Sequence, residues 1–90
     1  MSVSAKIVVY ATQWCPFCNR ARQLLEHKQA KYELIDIGLE PNRRVEMMQL
    51  SGGAHTVPQI FINGEHIGGC DDLFALEHRD QLDNKLNPDT

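Results

Sequence analysis

The sequence predicts an α/β domain built on one four-stranded mixed sheet, a βαβ half followed by a ββα half, flanked by helices on both faces. Three observations carry this reading. A continuously apolar run, Ile7-Val8-Val9-Tyr10, is followed by a helical pattern and then by a second strand-like segment, Tyr32 to Ile37. A strand, a helix and a strand in some 33 residues form a crossover unit, so these two strands should run parallel. Further on, Asn63-Gly64 separates two short β-like runs, a strong hairpin signal because both central positions of a type I′ turn need positive φ. A single mixed sheet is the economical way to bury the apolar faces of the helices between these strands.

Size and composition narrow the classes. Ninety residues hold one core, so residues 1–90 read as a single domain. A hydrophobic content of 42% supplies that core without a disulfide or metal staple. Three cysteines cannot all pair and are few for a secreted disulfide scaffold. The opening Met1-Ser2-Val3-Ser4-Ala5-Lys6 has no apolar signal-peptide block, and no run approaches the ~18 apolar residues of a membrane span. A cytoplasmic location, with no membrane attachment, is expected. The net charge of −3 argues against nucleic-acid binding through phosphate neutralisation. Charge is uneven, +4 over residues 1–32 and −7 over residues 33–90. The positive portion holds Cys15 and Cys18, which suits a thiolate; a solvated helix face would give the same asymmetry.

Ala5 to Tyr10 is short, β-branched and apolar throughout, as a strand covered on both faces should be. Ala11 to Trp14 is the loop, and a helix follows from about Cys15 to Lys28. Pro16 suits its first position, where a missing N–H costs nothing. Phe17, Ala21, Leu24 and Leu25 make its inward stripe. After the strand Tyr32 to Ile37, Gly38-Leu39-Glu40 turns the chain into a second helix with Pro41 in its first turn. That helix should point Val45, Met48 and Leu50 inward, with Met47 and Met48 as core or boundary residues, and stop at Gly52-Gly53. Pro58 to Ile62 is the third strand, its proline at the first residue. Glu65 to Ile67 returns antiparallel after the hairpin, and Gly68-Gly69 lets the backbone pass close to another group. Cys70-Asp71-Asp72 opens a last helix carrying Leu73, Phe74 and Leu76, with Leu82 and Leu86 continuing the pattern. Asn87 to Thr90 should fray.

Trp14-Cys15-Pro16-Phe17-Cys18 places two thiols three residues apart at a strand-to-helix junction. The unpaired N–H groups and partial positive charge of a helix N-terminus stabilise an anion. Cys15 should therefore have a depressed pKa and act as the nucleophile. Cys18, one turn deeper on the same face, is within disulfide reach and should resolve the mixed disulfide, which makes the reaction class thiol–disulfide exchange. The pair could instead be half of a zinc site, but the second half-motif is missing: Cys70 stands alone, as do His27, His55, His66 and His78. No metal is expected, and the histidines receive no catalytic role.

Cys15-Pro16-Phe17-Cys18, Thr56-Val57-Pro58-Gln59-Ile60-Phe61-Ile62 and Gly68-Gly69-Cys70-Asp71-Asp72-Leu73 together resemble the short dithiol glutaredoxins of bacteria. The resemblance covers roughly Lys6 to Leu86 and implies a thioredoxin-like fold with glutathione as reductant. On matching positions it implies that Cys15 attacks and carries the glutathione mixed disulfide. It implies that Pro58 is a cis-proline facing the thiols, leaving the Val57 backbone to pair with the cysteinyl part of glutathione like an added strand, with Thr56 beside it among the glutathione-binding residues. Asp71 and Asp72 would receive the α-amino group, and the Cys70-Asp71 backbone the α-carboxylate. Phe17 stands where the family more often has tyrosine, keeping an aromatic wall without the hydroxyl. Many relatives have lysine three residues before the nucleophile; here it is Thr12, which should weaken glutathione binding. Gln59, Arg43 or Arg44 could hold the glycine carboxylate instead, although two exposed surface arginines are an equally simple reading.

The implied enzyme is a monomeric glutathione-dependent oxidoreductase of protein disulfides and glutathione mixed disulfides. Its implied partners are proteins such as ribonucleotide reductase, with glutathione reductase acting indirectly. Two other readings remain open: reduction by thioredoxin reductase, and an iron–sulfur module in which two chains share a cluster through Cys15 and glutathione. Pro16 disfavours the latter, because cluster-binding members tend to have a smaller residue there. Cys70 reads as a small packed residue or as a third reactive thiol. Trp14 either packs beside the thiols or shapes partner binding.

Overall fold

In the computed structural model, which describes residues 5–88, the first strand, β1 (Ile7–Ala11), lies between two others. Beside it run β2 (Glu33–Asp36), parallel, and β3 (Gln59–Ile62), antiparallel, while β4 (Glu65–Gly68) pairs antiparallel with β3 at the edge. The expectations for residues 1–4 and for Asp89-Thr90 lie outside the described residues. The sheet order β2-β1-β3-β4 is that of a βαβ half joined to a ββα half. The hairpin is as its sequence predicts, with Asn63 at φ 50° and Gly64 at φ 81°.

The apolar continuity of β1 follows from coverage on both faces. Ile7, Val9 and Ala11 pack in one cluster with Cys18, Ala21 and Leu25 of α1 (Pro16–His27), Leu73 of α3 (Cys70–His78), and Leu82 and Leu86 of α4 (Leu82–Leu86). Tyr10 points the other way, into a smaller cluster with Ile35, Ile37, Phe61 and Met47 of α2 (Arg43–Leu50). The alternation along one strand thus feeds two cores.

Three expectations change. In α1 the fully buried stripe is Cys18, Ala21 and Leu25, and Phe17 is 54% exposed. One residue of helix rotates the side chain by ~100°, so with Cys18 facing the sheet its neighbour cannot. In α2, Val45, Met48 and Leu50 are exposed and Met47 is buried. That helix covers the smaller cluster through one side chain, and Pro41 lies in the turn before it, with Arg44 N–H donating to its carbonyl at 3.1 Å. The final helix is two. α3 ends where Asp80 takes φ 57° and Gln81 N–H donates to the Leu76 carbonyl at 2.9 Å. The same six-residue closure ends α1, with Gln29 at φ 57° and Ala30 N–H on Leu25, and α2, with Gly52 at φ 73° and Gly53 N–H on Met48. Leu82 and Leu86 remain buried, because the break folds α4 back onto the same core.

Tyr10 also ties α2 to the sheet. Its hydroxyl donates to Glu46, whose carboxylate accepts twice from Arg43, at 3.3 and 3.0 Å. Arg43 and Arg44 open α2, but Glu46 in the same turn offsets their opposition to the helix dipole. Burial, then the Glu46 bond, pushes the Tyr10 phenol up to about 12. Between pH 10 and about 12 the unfolded chain loses this proton and the folded chain keeps it, so stability must fall as pH rises through that window. Urea midpoints at pH 9 and pH 11 should show the drop, and Tyr10→Phe should reduce it.

Candidate active site

The loop after β1 brings Cys15 to the N-cap of α1, with Pro16 at the first helical position. Cys18 N–H, one of the donors a helix start leaves unpaired, donates to Cys15 Sγ at 3.1 Å. Cys15 and Cys18 are joined in a disulfide with Cα atoms 5.1 Å apart. Exposure separates them: 9% for Cys15 and none for Cys18. No acidic residue stands in the first turn to oppose negative charge at Cys15.

Facing the pair is the segment before β3. The Val57-Pro58 peptide bond is cis, and Cys15 Sγ lies 3.8 Å from the Val57 carbonyl oxygen. A groove of about 510 Å³ starts here, walled by Phe17, by Thr56 to Gln59, and by Gly68 to Asp72. The volume is within the range of sites that enclose a small molecule, about 300–1,000 Å³. Of the eleven residues singled out from the sequence, eight line this groove: Phe17, Thr56, Val57, Pro58, Gln59, Cys70, Asp71 and Asp72. Cys15 adjoins it through Val57, with Cys18 directly behind in the disulfide.

The remaining one, Thr12, is not among the groove's lining residues; it borders a separate depression with Trp14 and Leu39. The carboxylate alternatives are also engaged elsewhere. Gln59 is buried, its amide donating to the Thr56 carbonyl at 3.0 Å and to Thr56 Oγ1 at 3.3 Å. Arg43 pairs with Glu46 and Glu40, and Arg44 donates to the His55 carbonyl at 2.6 Å, bracing the loop that leads to Thr56.

Two glycines explain how α3 comes so close. Gly68 has φ 118°, and a Cβ there would lie 2.2 Å from Asp72 Oδ2. Asp72 uses that space to accept from Gly69 N–H at 3.0 Å, capping its own helix and leaving Asp71 exposed at the groove. Cys70 is buried in the main core cluster, and burial pushes its thiol up, which favours packing over reactivity.

Ala54 and His66 also line the groove and were passed over by sequence reasoning, and His66 is the one with a polar side chain. Its Nε2 donates to Gln59 Oε1 at 2.6 Å and its ring stacks on Phe61 with centroids 5.0 Å apart. A chain of contacts thus runs from His66 through Gln59 to Thr56. The hairpin register, which pairs Phe61 with His66, was the available signal. A search for paired histidines could not find a histidine whose partner is an amide.

Comparison with known proteins agrees with this geometry. The glutaredoxin family model matches residues 7–67. The chain is 46% identical over 81 residues to a glutaredoxin of Pseudomonas aeruginosa, covering 90% of this chain and 95% of that one. It is 46% identical over 82 residues to glutaredoxin 3 of Escherichia coli, covering 91% and 98%. Among solved structures, glutaredoxin from Brucella melitensis superposes with a TM-score of 0.81 at 42% identity, over 100% of this chain and 96% of that one. A buckwheat glutaredoxin–glutathione complex gives 0.84 at 31% identity, over 92% and 77%. With the family model matching residues 7–67 and relatives 46% identical over nine-tenths of the chain, the chain belongs to the glutaredoxin family of thiol–disulfide oxidoreductases.

Proposed function

We propose that Cys15 is the nucleophile, Cys18 the resolving thiol and glutathione the co-substrate held in the groove. The observation that carries this is the position of Cys15 Sγ, at a helix start under the Cys18 N–H and beside Val57 at the groove's end. A thiolate there is stabilised by that N–H and by the helix dipole. It attacks one sulfur of a substrate disulfide; the S–S bond breaks, and the departing sulfur leaves as a thiolate that takes a proton from water. Cys18 then attacks Cys15, releasing the second substrate thiol and leaving the Cys15–Cys18 disulfide. Two electrons have passed to the substrate. Two glutathione molecules restore the dithiol and leave as glutathione disulfide. With a glutathione mixed disulfide, Cys15 alone suffices.

In this reading the Thr56-Val57 backbone pairs with the cysteinyl part of glutathione, and Pro58 and Phe17 wall it. Asp71 takes the α-amino group with Asp72 beside it, and the Cys70-Asp71 backbone takes the α-carboxylate. Gln59 acts indirectly by holding Thr56. Physiological substrates are disulfide-bearing and glutathionylated proteins of the cytoplasm, and the chain works as one monomeric domain.

The test is a coupled assay with glutathione, glutathione reductase and NADPH on a glutathionylated substrate. NADPH oxidation should depend on the protein; activity only with thioredoxin reductase in place of glutathione would overturn the reading. Thr12→Lys should lower the KM for glutathione severalfold, by restoring the cation that many relatives carry three residues before the nucleophile for the glycine carboxylate of glutathione. An unchanged KM removes position 12 from the account.

A further inference from the structure

We propose that the depression beside Trp14 receives the polypeptide flanking a protein substrate's disulfide, and that Trp14 and Leu39 set the preference for polypeptide over small disulfides. This rests on Cys15 being the attacking thiol. Trp14 is 93% exposed and Leu39 71%, the highest exposures among the large hydrophobic side chains described. Scattered exposed apolar residues need no explanation. These two line one depression of about 250 Å³, together with Thr12, Gln13, Asp36 and Gly38, formed in part by the residues that immediately precede Cys15 in the chain.

The depression shares no lining residue with the glutathione groove. Trp14, immediately before Cys15 in the chain, belongs to one, and Phe17, just after it, to the other. Leu39 is held outward by a fixed turn: Asp36 Oδ1 accepts from Gly38 N–H at 2.8 Å and Leu39 N–H at 3.1 Å, and the Asp36 carbonyl accepts from Glu40 N–H at 2.9 Å. A platform already ordered loses little entropy when a partner binds.

The occupant follows from the chemistry at Cys15. Glutathione is a tripeptide, and the larger groove accommodates it. A protein disulfide presents chain on both sides of the attacked cysteine, and Trp14, which adjoins Cys15 in the sequence, is placed to meet the part that extends beyond the groove. At about 250 Å³ the depression is smaller than sites that enclose a ligand, so it takes one or two side chains. The partner is therefore an extended segment with an aliphatic or aromatic residue close to the attacked cysteine. The bond changes are those above: Cys15 Sγ bonds to the segment's cysteine, and the segment's other sulfur departs as a thiolate and is protonated by water.

The test compares two substrates on the full chain, a disulfide-bonded peptide with leucine and phenylalanine flanking its cysteines and the mixed disulfide of glutathione with 2-mercaptoethanol. Trp14→Ala should lower kcat/KM for the peptide about tenfold, the usual cost of losing an aromatic anchor, and leave the mixed disulfide within about twofold. Leu39→Ser should act in the same direction, and Trp14→Phe should restore most of the loss. Both side chains are exposed, so neither substitution removes core packing. Trp14 is the single tryptophan, so its emission reports directly. In a Cys18→Ser background, trapping the peptide on Cys15 should shift that emission to the blue, and trapping glutathione should not. Equal losses on both substrates, no loss on the peptide, or the same emission change with both adducts would overturn the proposal. Undiminished activity in Cys15→Ser would instead overturn the reading beneath it.

Discussion

Cys15→Ser is expected to abolish turnover of both substrate classes, by roughly a thousandfold or more, because in the proposed mechanism it removes the sulfur that forms the covalent intermediate. Cys18→Ser should separate the two. Its thiol has no exposure at all, so it cannot meet an outside disulfide first. It does lie against Cys15, at a Cα separation inside the usual disulfide range of about 4.4–6.8 Å. Cys18→Ser should therefore keep the deglutathionylation of small mixed disulfides and lose the reduction of protein disulfides. Two assays on the same preparations, one for each substrate class, measure this. Equal loss of both activities in Cys18→Ser would end the division of roles.

Gly68→Ala should have the largest effect of any change outside the thiols. Alanine is strained at φ 118°, and its Cβ would meet the Asp72 side chain at 2.2 Å for Oδ2 and 3.0 Å for Cβ. Because even the first carbon of that side chain is in the way, rotating the carboxylate is not enough, and the start of α3 must shift. Backbone strain and a lost cap together cost about 2 kcal/mol or more. The glutathione KM should rise severalfold, since the same helix start lines the groove. Gly69→Ala is the control. Its φ is −93°, and its Cβ would approach the Pro58 carbonyl only to 3.4 Å. Urea denaturation and KM measured for both variants decide the matter: equal effects would mean that the close approach at Gly68 does not govern the site.

Much of the fold was legible because its signals are local. Asn63-Gly64 needs no tertiary partner to favour positive φ, Pro16 suits a helix start wherever it is, and the β-branched continuity of Ile7 to Tyr10 reports coverage on two faces. The errors were also local in origin. Gln29 and Asp80 end helices in the left-handed conformation that sequence reading assigns first to glycine, so the break between α3 and α4 was invisible in the apolar pattern. In α2, Val45, Met48 and Leu50 had helical spacing, but a short helix touching the sheet through one side chain has only one inward position, and Met47 holds it.

The sequence by itself determined the reacting centre: two thiols one turn apart, the first at a helix start behind Pro16, and a proline-led strand and a glycine-led helix to face them. Each follows from neighbours a few residues away. Tertiary structure alone decided what each polar and aromatic side chain near that centre does. Gln59 turns inward to hold Thr56, because His66 across the hairpin takes its carbonyl oxygen. Arg43 is occupied by Glu46. Thr12 and Trp14 open onto a second depression, because the Asp36 turn raises Leu39 beside them. These assignments depend on partners brought together from distant parts of the chain, and competition among such partners is settled only once the sheet and helices have packed.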